Sequence, residues 1–244
     1  MSTFFLFSLS SVLLWIVASL LAWLSHRRSS VMLYAVGIVL FASYIGWIWW
    51  QMERPPLRTM GEVRLWYSLF LSITGLFLYI RFNDRWMLLL SSVLSTVFIV
   101  IGLCRPELFD KTMPPALQSV WFVPHVSVYM FSYSILSIAT ILAYLKPSYL
   151  VRRLVLTGCG LLGMGMVMGA LWAKEAWGDY WSWDPKETWA AATWLSYLIY
   201  IHANEVRLSR KYELFILTFS FILLQMCWYG VSYLPSAQQS IHLY

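Results

Sequence analysis

Charge is what this chain has least of: 11% of its 244 residues are Asp, Glu, Lys or Arg, against 60% hydrophobic. An ordinary soluble domain carries about 25% charged residues, so a chain of this composition does not fold around one water-excluded core; it is a membrane protein. Cysteine is also scarce. Cys104, Cys159 and Cys227 lie far apart and form no C-x-x-C pair, a pattern that argues against thiol redox chemistry and against a zinc site. There is no low-complexity tract, no clear internal repeat and no period-two alternation. The last absence removes an outer-membrane barrel, and a lipid-exposed open sheet would leave its backbone groups unpaired.

Apolar runs are present in abundance. Eight stretches approach the ~20 residues that span a bilayer as a helix: 4–24, 31–50, 63–80, 86–103, 125–145, 151–173, 188–203 and 213–231. They predict an all-α polytopic membrane bundle of about eight transmembrane helices, organised as a single integral membrane domain over 1–244. The run nearest Met1 has no basic residue ahead of it and is too long for a secretory leader, so it is expected to stay in the mature protein. The connector 104–124 carries Pro106, Pro114, Pro115 and Pro124 and is expected to act as a lid or docking loop.

The charges that do occur are sorted by side. Arg27, Arg28, Arg81, Arg85, Lys146, Arg152, Arg153, Arg207, Arg210 and Lys211 flank alternate connectors with only Asp84, Glu205 and Glu213 among them, while eight of the eleven acids fall on the other side. The positive-inside rule makes the basic face cytoplasmic and puts both termini and the connector around Trp177 outside. The formal charge of +6 then reflects a basic rim suited to anionic lipid, with no call on nucleic acid.

That outward connector holds the most specific stretch of the chain. W-A-K-E-A-W-G-D-Y-W-S-W-D-P-K-E-T-W, residues 172–189, sets Trp177, Tyr180, Trp181 and Trp183 around Gly178 with Asp179 and Asp184 among them. A dense set of indoles with a polar rim makes a flat, largely apolar surface suited to a large planar ligand. As a short surface helix the stretch would put Trp177, Trp181 and Asp184 on one face. Trp189 and Trp194 fit the interfacial aromatic belt alone. Asp184-Pro185-Lys186-Glu187 also reads as a capping box that starts the seventh span, a role compatible with binding.

Histidine is limited to His26, His125, His202 and His242. His125 opens the fifth span on the outer face and His242 lies in the outer tail, at the membrane level of the tryptophans; two neutral imidazoles converging from opposite sides are what six-coordinate haem iron requires. His26, beside Arg27 and Arg28, reads as a surface residue. His202 sits at the cytoplasmic end of the seventh span, where an ionisable group is a functional candidate by default. Gly158, Gly160, Gly163, Gly165 and Gly169 lie inside an apolar span, which points to close helix packing and not to a nucleotide loop.

The segment W-G-D-Y-W-S-W-D-P-K-E-T-W, residues 177–189, resembles the tryptophan-rich WWD signature of haem-handling membrane proteins, and its continuation D-P-K-E-T-W-A-x-x-T-W is similar to the CcsA (ResC) type of the system II cytochrome c synthase. The likeness runs from about Pro124 through Tyr244. It implies a protein of the bacterial plasma membrane that takes haem b from the cytoplasmic side and holds it outside against Trp177, Gly178, Tyr180, Trp181, Trp183 and Asp184. There the thiols of an apocytochrome c C-x-x-C-H segment add to the haem vinyl groups. His125 and His242 fall on the outer axial histidines of that family, and His202 on its histidine within the membrane. The latter would need a partner ligand from a CcsB (ResB) type subunit, expected as a separate chain. Many relatives end the eighth span in G-L-H-S-Y, whereas this chain reads S-Y-L-P-S-A-Q-Q-S-I-H-L-Y. Lys174, Lys186 and Arg105, chosen by side and charge, are candidates to meet the haem propionates. Two other readings stay open on the sequence: a bis-histidine b-type electron carrier, which would keep its haem, and a transporter, which would bind none.

Overall fold

A computed structural model describes residues 2–104, 111–145, 149–203 and 209–235. Among these residues the regular structure is helical: α1 (Ser2–Trp23), α2 (Arg27–Met52), α3 (Met60–Phe82), α4 (Arg85–Cys104), α5 (Phe122–Leu145), α6 (Tyr149–Trp177), α7 (Pro185–Ala203) and α8 (Arg210–Trp228). Two short 3-10 turns, Pro115–Gln118 and Gly230–Tyr233, complete it. Seven of the helices are long and apolar enough to cross a membrane. The exception is α7, whose 19 residues reach roughly 28 Å at a helical rise but carry Lys186 and Glu187 in the first turn and His202 in the last. The chain is an all-helical, multi-pass membrane protein.

The chain forms two compact units, Met1–Met113 and Pro114–Tyr244. In the first, α1 packs on α2, α2 on α3, α3 on α4 and α4 back on α1. Its interior is laced with hydroxyls. Tyr34 meets the Ser91 hydroxyl at 2.8 Å, Ser19 meets Ser92 at 3.0 Å, and Ser30 donates to the Ala18 carbonyl at 2.7 Å. A hydroxyl in hydrocarbon has no water to turn to, and these three find a helix carbonyl or another hydroxyl.

The helix expected at 63–80 begins earlier, at Met60, because polar residues rather than apolar ones start it. The Thr59 side chain accepts from the Glu62 N–H, and the Glu62 carboxylate answers the Thr59 N–H, a reciprocal cap. Glu62 is completely buried, yet it is also gripped by Arg54, whose two guanidinium nitrogens donate at 2.8 and 3.0 Å, and by the Arg58 N–H at 2.6 Å. Arg58 in turn donates to Thr112, and exposed Lys111, beside Glu53, holds that carboxyl below its ordinary range.

Basic side chains at the opposite helix ends also have local work. Arg27 donates to the Ile80 carbonyl at 2.9 Å and Arg85 to the Trp23 carbonyl at 3.1 Å, completing the otherwise orphaned last turns of α3 and α1. Arg210 does the same for Ala143 at the end of α5 in the second unit. His26 is exposed on the tight α1–α2 connection, as its sequence setting predicts.

In the second unit α5 packs on α6, α6 on α7, α7 on α8 and α8 on α5. Four of the five α6 glycines expected to serve close packing do so: a Cβ at Gly158 would come within 2.6 Å of Leu136, one at Gly165 within 2.6 Å of Tyr129, and Gly163 and Gly169 are also closely covered, whereas Gly160 faces open space. Pro124 and His125 lie inside the first turn of α5, not ahead of it. Proline is tolerated there because the first N–H groups of a helix have no intrahelical partner.

Candidate functional site

The candidate site is built where α5 begins and α6 ends. Phe122, His125, Tyr129 and Tyr133 recur at three- and four-residue spacing along α5 and so share a face. His125 stacks edge-on to Tyr129 at 4.6 Å between centroids and tilts against Trp172 at 5.5 Å. Trp172 also meets Phe122 at 5.2 Å and Trp177 at 4.9 Å. Farther along, Tyr133 reaches Trp228 of α8 at 5.9 Å, and its hydroxyl donates to the Cys227 sulfur at 3.7 Å. A continuous aromatic wall thus runs from the connector down into the unit, with one imidazole set in it.

The wall is anchored from outside the helices. The indole N–H of Trp172, a side chain only 3% exposed, donates to the Ala116 carbonyl at 2.6 Å. The Ser119 hydroxyl donates to the Glu175 carboxylate. These bonds pin the Pro115–Gln118 turn over the end of α6. Of the proline-rich connector, residues 105–110, including Arg105, lie outside the described residues; its Pro115–Gln118 turn and Ser119 are docked on α6 beside the aromatic wall.

The expectation of a short surface helix over the tryptophans is corrected. α6 itself continues to Trp177, where the Gly178 N–H bonds to the Lys174 carbonyl at 3.1 Å and Gly178 takes φ +93°, a left-handed helix end that glycine enters without strain. Residues 178–184 then run without helix to α7. Trp177 therefore belongs with His125, through Trp172, while Trp181 and Trp183 pack edge to face on each other at 5.8 Å. Trp183 is 72% and Tyr180 56% exposed. Lys174 lies 5.3 Å over the Tyr180 ring and donates to the Gly178 carbonyl at 2.5 Å, so this cation braces the connector itself.

Asp184 and Glu187 form the expected cap. The Asp184 carboxylate accepts from the Lys186 N–H at 2.9 Å, and the Glu187 carboxylate accepts from the Asp184 N–H at 3.2 Å. Glu187 does more than the sequence suggested, because the same oxygen takes the Ser182 N–H at 2.8 Å. That bond straddles Trp183, which is held at φ +59°, a region that a bulky residue enters only when its surroundings fix it. The only local signal for this role was the position of Glu187 in the cap.

His202 is exposed at the far end of α7, roughly 27 Å from Asp184 along 18 residues of helical rise. It is not part of the wall. His242 lies outside the described residues. Sequence reasoning named His125 and Trp177 for the site and read Gly165 and Gly169 as packing glycines alone, and it did not single out Phe122, Tyr129 or Trp172, which pack around them. The available signal was the matched four-residue spacing of His125 and Tyr129 on one helix and of Gly165 and Gly169 on the next.

Residues 57–237 match the family described as cytochrome C assembly protein. The chain is 32% identical to the cytochrome c biogenesis protein CcsA of Heterosigma akashiwo, over 83% of this chain and 81% of that one. It is 28% identical to the CcsA of Synechococcus sp. over 91% of each. Among solved structures, the cytochrome c heme lyase CcmF superposes with a TM-score of 0.70 at 17% identity, covering 91% of this chain and 45% of that one, a likeness of fold. An integral membrane protein of cytochrome c assembly is the class these helices and matches define, and the chain belongs to that family. Within it, the chain is of the CcsA type.

Proposed function

We propose that this chain is the haem-handling subunit of a system II cytochrome c synthase, which holds haem b as substrate at the outer face of a bacterial plasma membrane and presents it to apocytochrome c. The observation that carries the proposal is the packing of Trp177 on Trp172 and of Trp172 on His125. A single imidazole in an aromatic wall, continued in the chain by a connector that exposes Tyr180 and Trp183, fits a planar, apolar macrocycle with a metal at its centre. The donor chemistry fits as well: imidazole nitrogen is a good iron ligand, and the wall keeps bulk water from the metal.

His125 and His242 are proposed as the axial pair, with His242 supplied by the C-terminal segment. Tyr180, Trp181 and Trp183 line the ring edge, and Gly178 and Asp184 set the ends of the connector that carries them. The thioether step needs no external oxidant: each cysteine S–H adds across a vinyl C=C, the sulfur to one carbon and the hydrogen to the other. Holding the haem still while leaving its vinyl edge open is the protein's contribution. His202, exposed at the other end of α7, suits a ligand completed by a CcsB (ResB) type subunit during haem delivery.

Purification with and without the CcsB-type subunit tests the reading, with an absorption spectrum and an assay for covalent cytochrome c. A low-spin haem spectrum in the complex together with covalent transfer is expected. Haem retained indefinitely without transfer would instead identify an electron carrier, and absence of haem a transporter.

A further inference from the structure

The ring of His125 occupies space that exists only because α6 lacks side chains beside it. A Cβ at Gly169 would fall 2.6 Å from the His125 Cε1, 2.8 Å from Nδ1 and 3.5 Å from Nε2. The first two distances are closer than Cβ atoms approach other heavy atoms, and the ring is backed by Tyr129 and Trp172, so it has little freedom to give way. One turn earlier, a Cβ at Gly165 would strike the Tyr129 ring that packs on His125.

The same two glycines bring the imidazole to a backbone acceptor. Nδ1 of His125 lies 2.8 Å from the Gly165 carbonyl oxygen. A carbonyl oxygen only accepts, so Nδ1 is the donor and carries the ring proton. A neutral imidazole has one such proton, which leaves the lone pair on Nε2. In a regular helix the Gly165 carbonyl also accepts the N–H of residue 169; the missing Cβ at that residue is what lets the imidazole share it.

We propose that Gly165 and Gly169 are positioning residues for His125: the α6 backbone fixes the Nδ1–H tautomer and makes Nε2 the iron-ligating atom before haem arrives. This rests on the reading of His125 as an axial ligand. Partners on the far nitrogen of a ligating histidine orient the ring and raise its basicity, and their loss costs about 10- to 100-fold in metal affinity or activity. Gly160 supplies an internal control, since a Cβ there meets nothing within 4 Å.

The test compares wild type, Gly160→Ala, Gly169→Ala and His125→Ala in the full chain copurified with its partner subunit, with and without added imidazole. Gly160→Ala should match wild type. Gly169→Ala should lose on the order of 10- to 100-fold in cytochrome c maturation, show a high-spin component, and recover in part with imidazole. In haem-free protein labelled with 15N-histidine, the wild-type His125 ring should show protonated Nδ1 and unprotonated Nε2, and Gly169→Ala should shift toward the average of the two tautomers. If His125→Ala loses maturation while Gly169→Ala keeps the wild-type spectrum and ring shifts, the positioning role is wrong and the axial reading stands. If His125→Ala is itself normal, the axial reading fails and this proposal goes with it. Should Gly169→Ala fail to insert, the wild-type ring shifts decide alone, and a protonated Nε2 overturns the proposal.

Discussion

The two four-helix units of this protein share a helix order and both bury hydroxyls, but they differ in the ionisable groups packed among their helices, an Arg54–Glu62 pair in the first and the imidazole of His125 in the second. Met1–Met113 closes its interior with hydroxyls and one ion pair: Ser91 and Ser92 against Tyr34, Ser19 against Ser92, Arg54 against Glu62. In Pro114–Tyr244, the face shared by α5 and α6 combines rings with glycine: His125, Tyr129, Trp172 and Trp177 against the small residues of α6. Small hydroxyl residues paired with one another and with helix carbonyls hold helices together and offer no imidazole-type ligand, which suits a scaffold. A ring facing glycine can instead be placed with its lone pair directed, which suits metal binding. The difference predicts that damage to the first unit shows as lost stability and damage to the second as lost haem chemistry.

The largest expected stability effect is in the first unit. Glu62→Ala would leave Arg54 buried without its carboxylate and remove the cap of α3. Breaking a buried pair from one side costs about 3–5 kcal/mol, and thermal unfolding in detergent should register it, with Glu62→Gln milder. A selective loss of haem with unchanged unfolding would break the division between the units.

Gly75→Ala sharpens the comparison, being the same substitution as Gly169→Ala in the other unit. A Cβ there would reach 1.9 Å from the Ser91 hydroxyl and 3.0 Å from the Met87 carbonyl oxygen. Overpacking of this kind costs about 1–3 kcal/mol. The surviving protein should carry haem with an unaltered spectrum, in contrast to Gly169→Ala.

Glu187→Ala is the smallest of the three. It removes one side of the α7 cap and the bond that spans Trp183, with a stability loss of about 1 kcal/mol. Its distinctive mark should be altered fluorescence from Trp183 and slower maturation at normal insertion.

Much of the fold was legible in the sequence because hydrocarbon imposes a long apolar run on each span. The boundaries that slipped are polar ones. α3 starts at Met60 because Thr59, Glu62 and Arg54 satisfy one another, and a hydropathy reading discards such residues. α6 runs on to Trp177 because its last turns are aromatic and charged, ending only where Gly178 turns left-handed. At the site, His125 and the tryptophans could be read from residue type and motif. The tautomer of His125 could not, since it depends on a carbonyl 40 residues away that is reached only when α5 and α6 pack.

The claim that the second unit handles haem through His125 is tested most directly by cytochrome c maturation in His125→Ala cells with and without imidazole. The account predicts that maturation collapses and that imidazole, filling the vacated place without a covalent link, restores part of it. Normal maturation in His125→Ala without imidazole would contradict it.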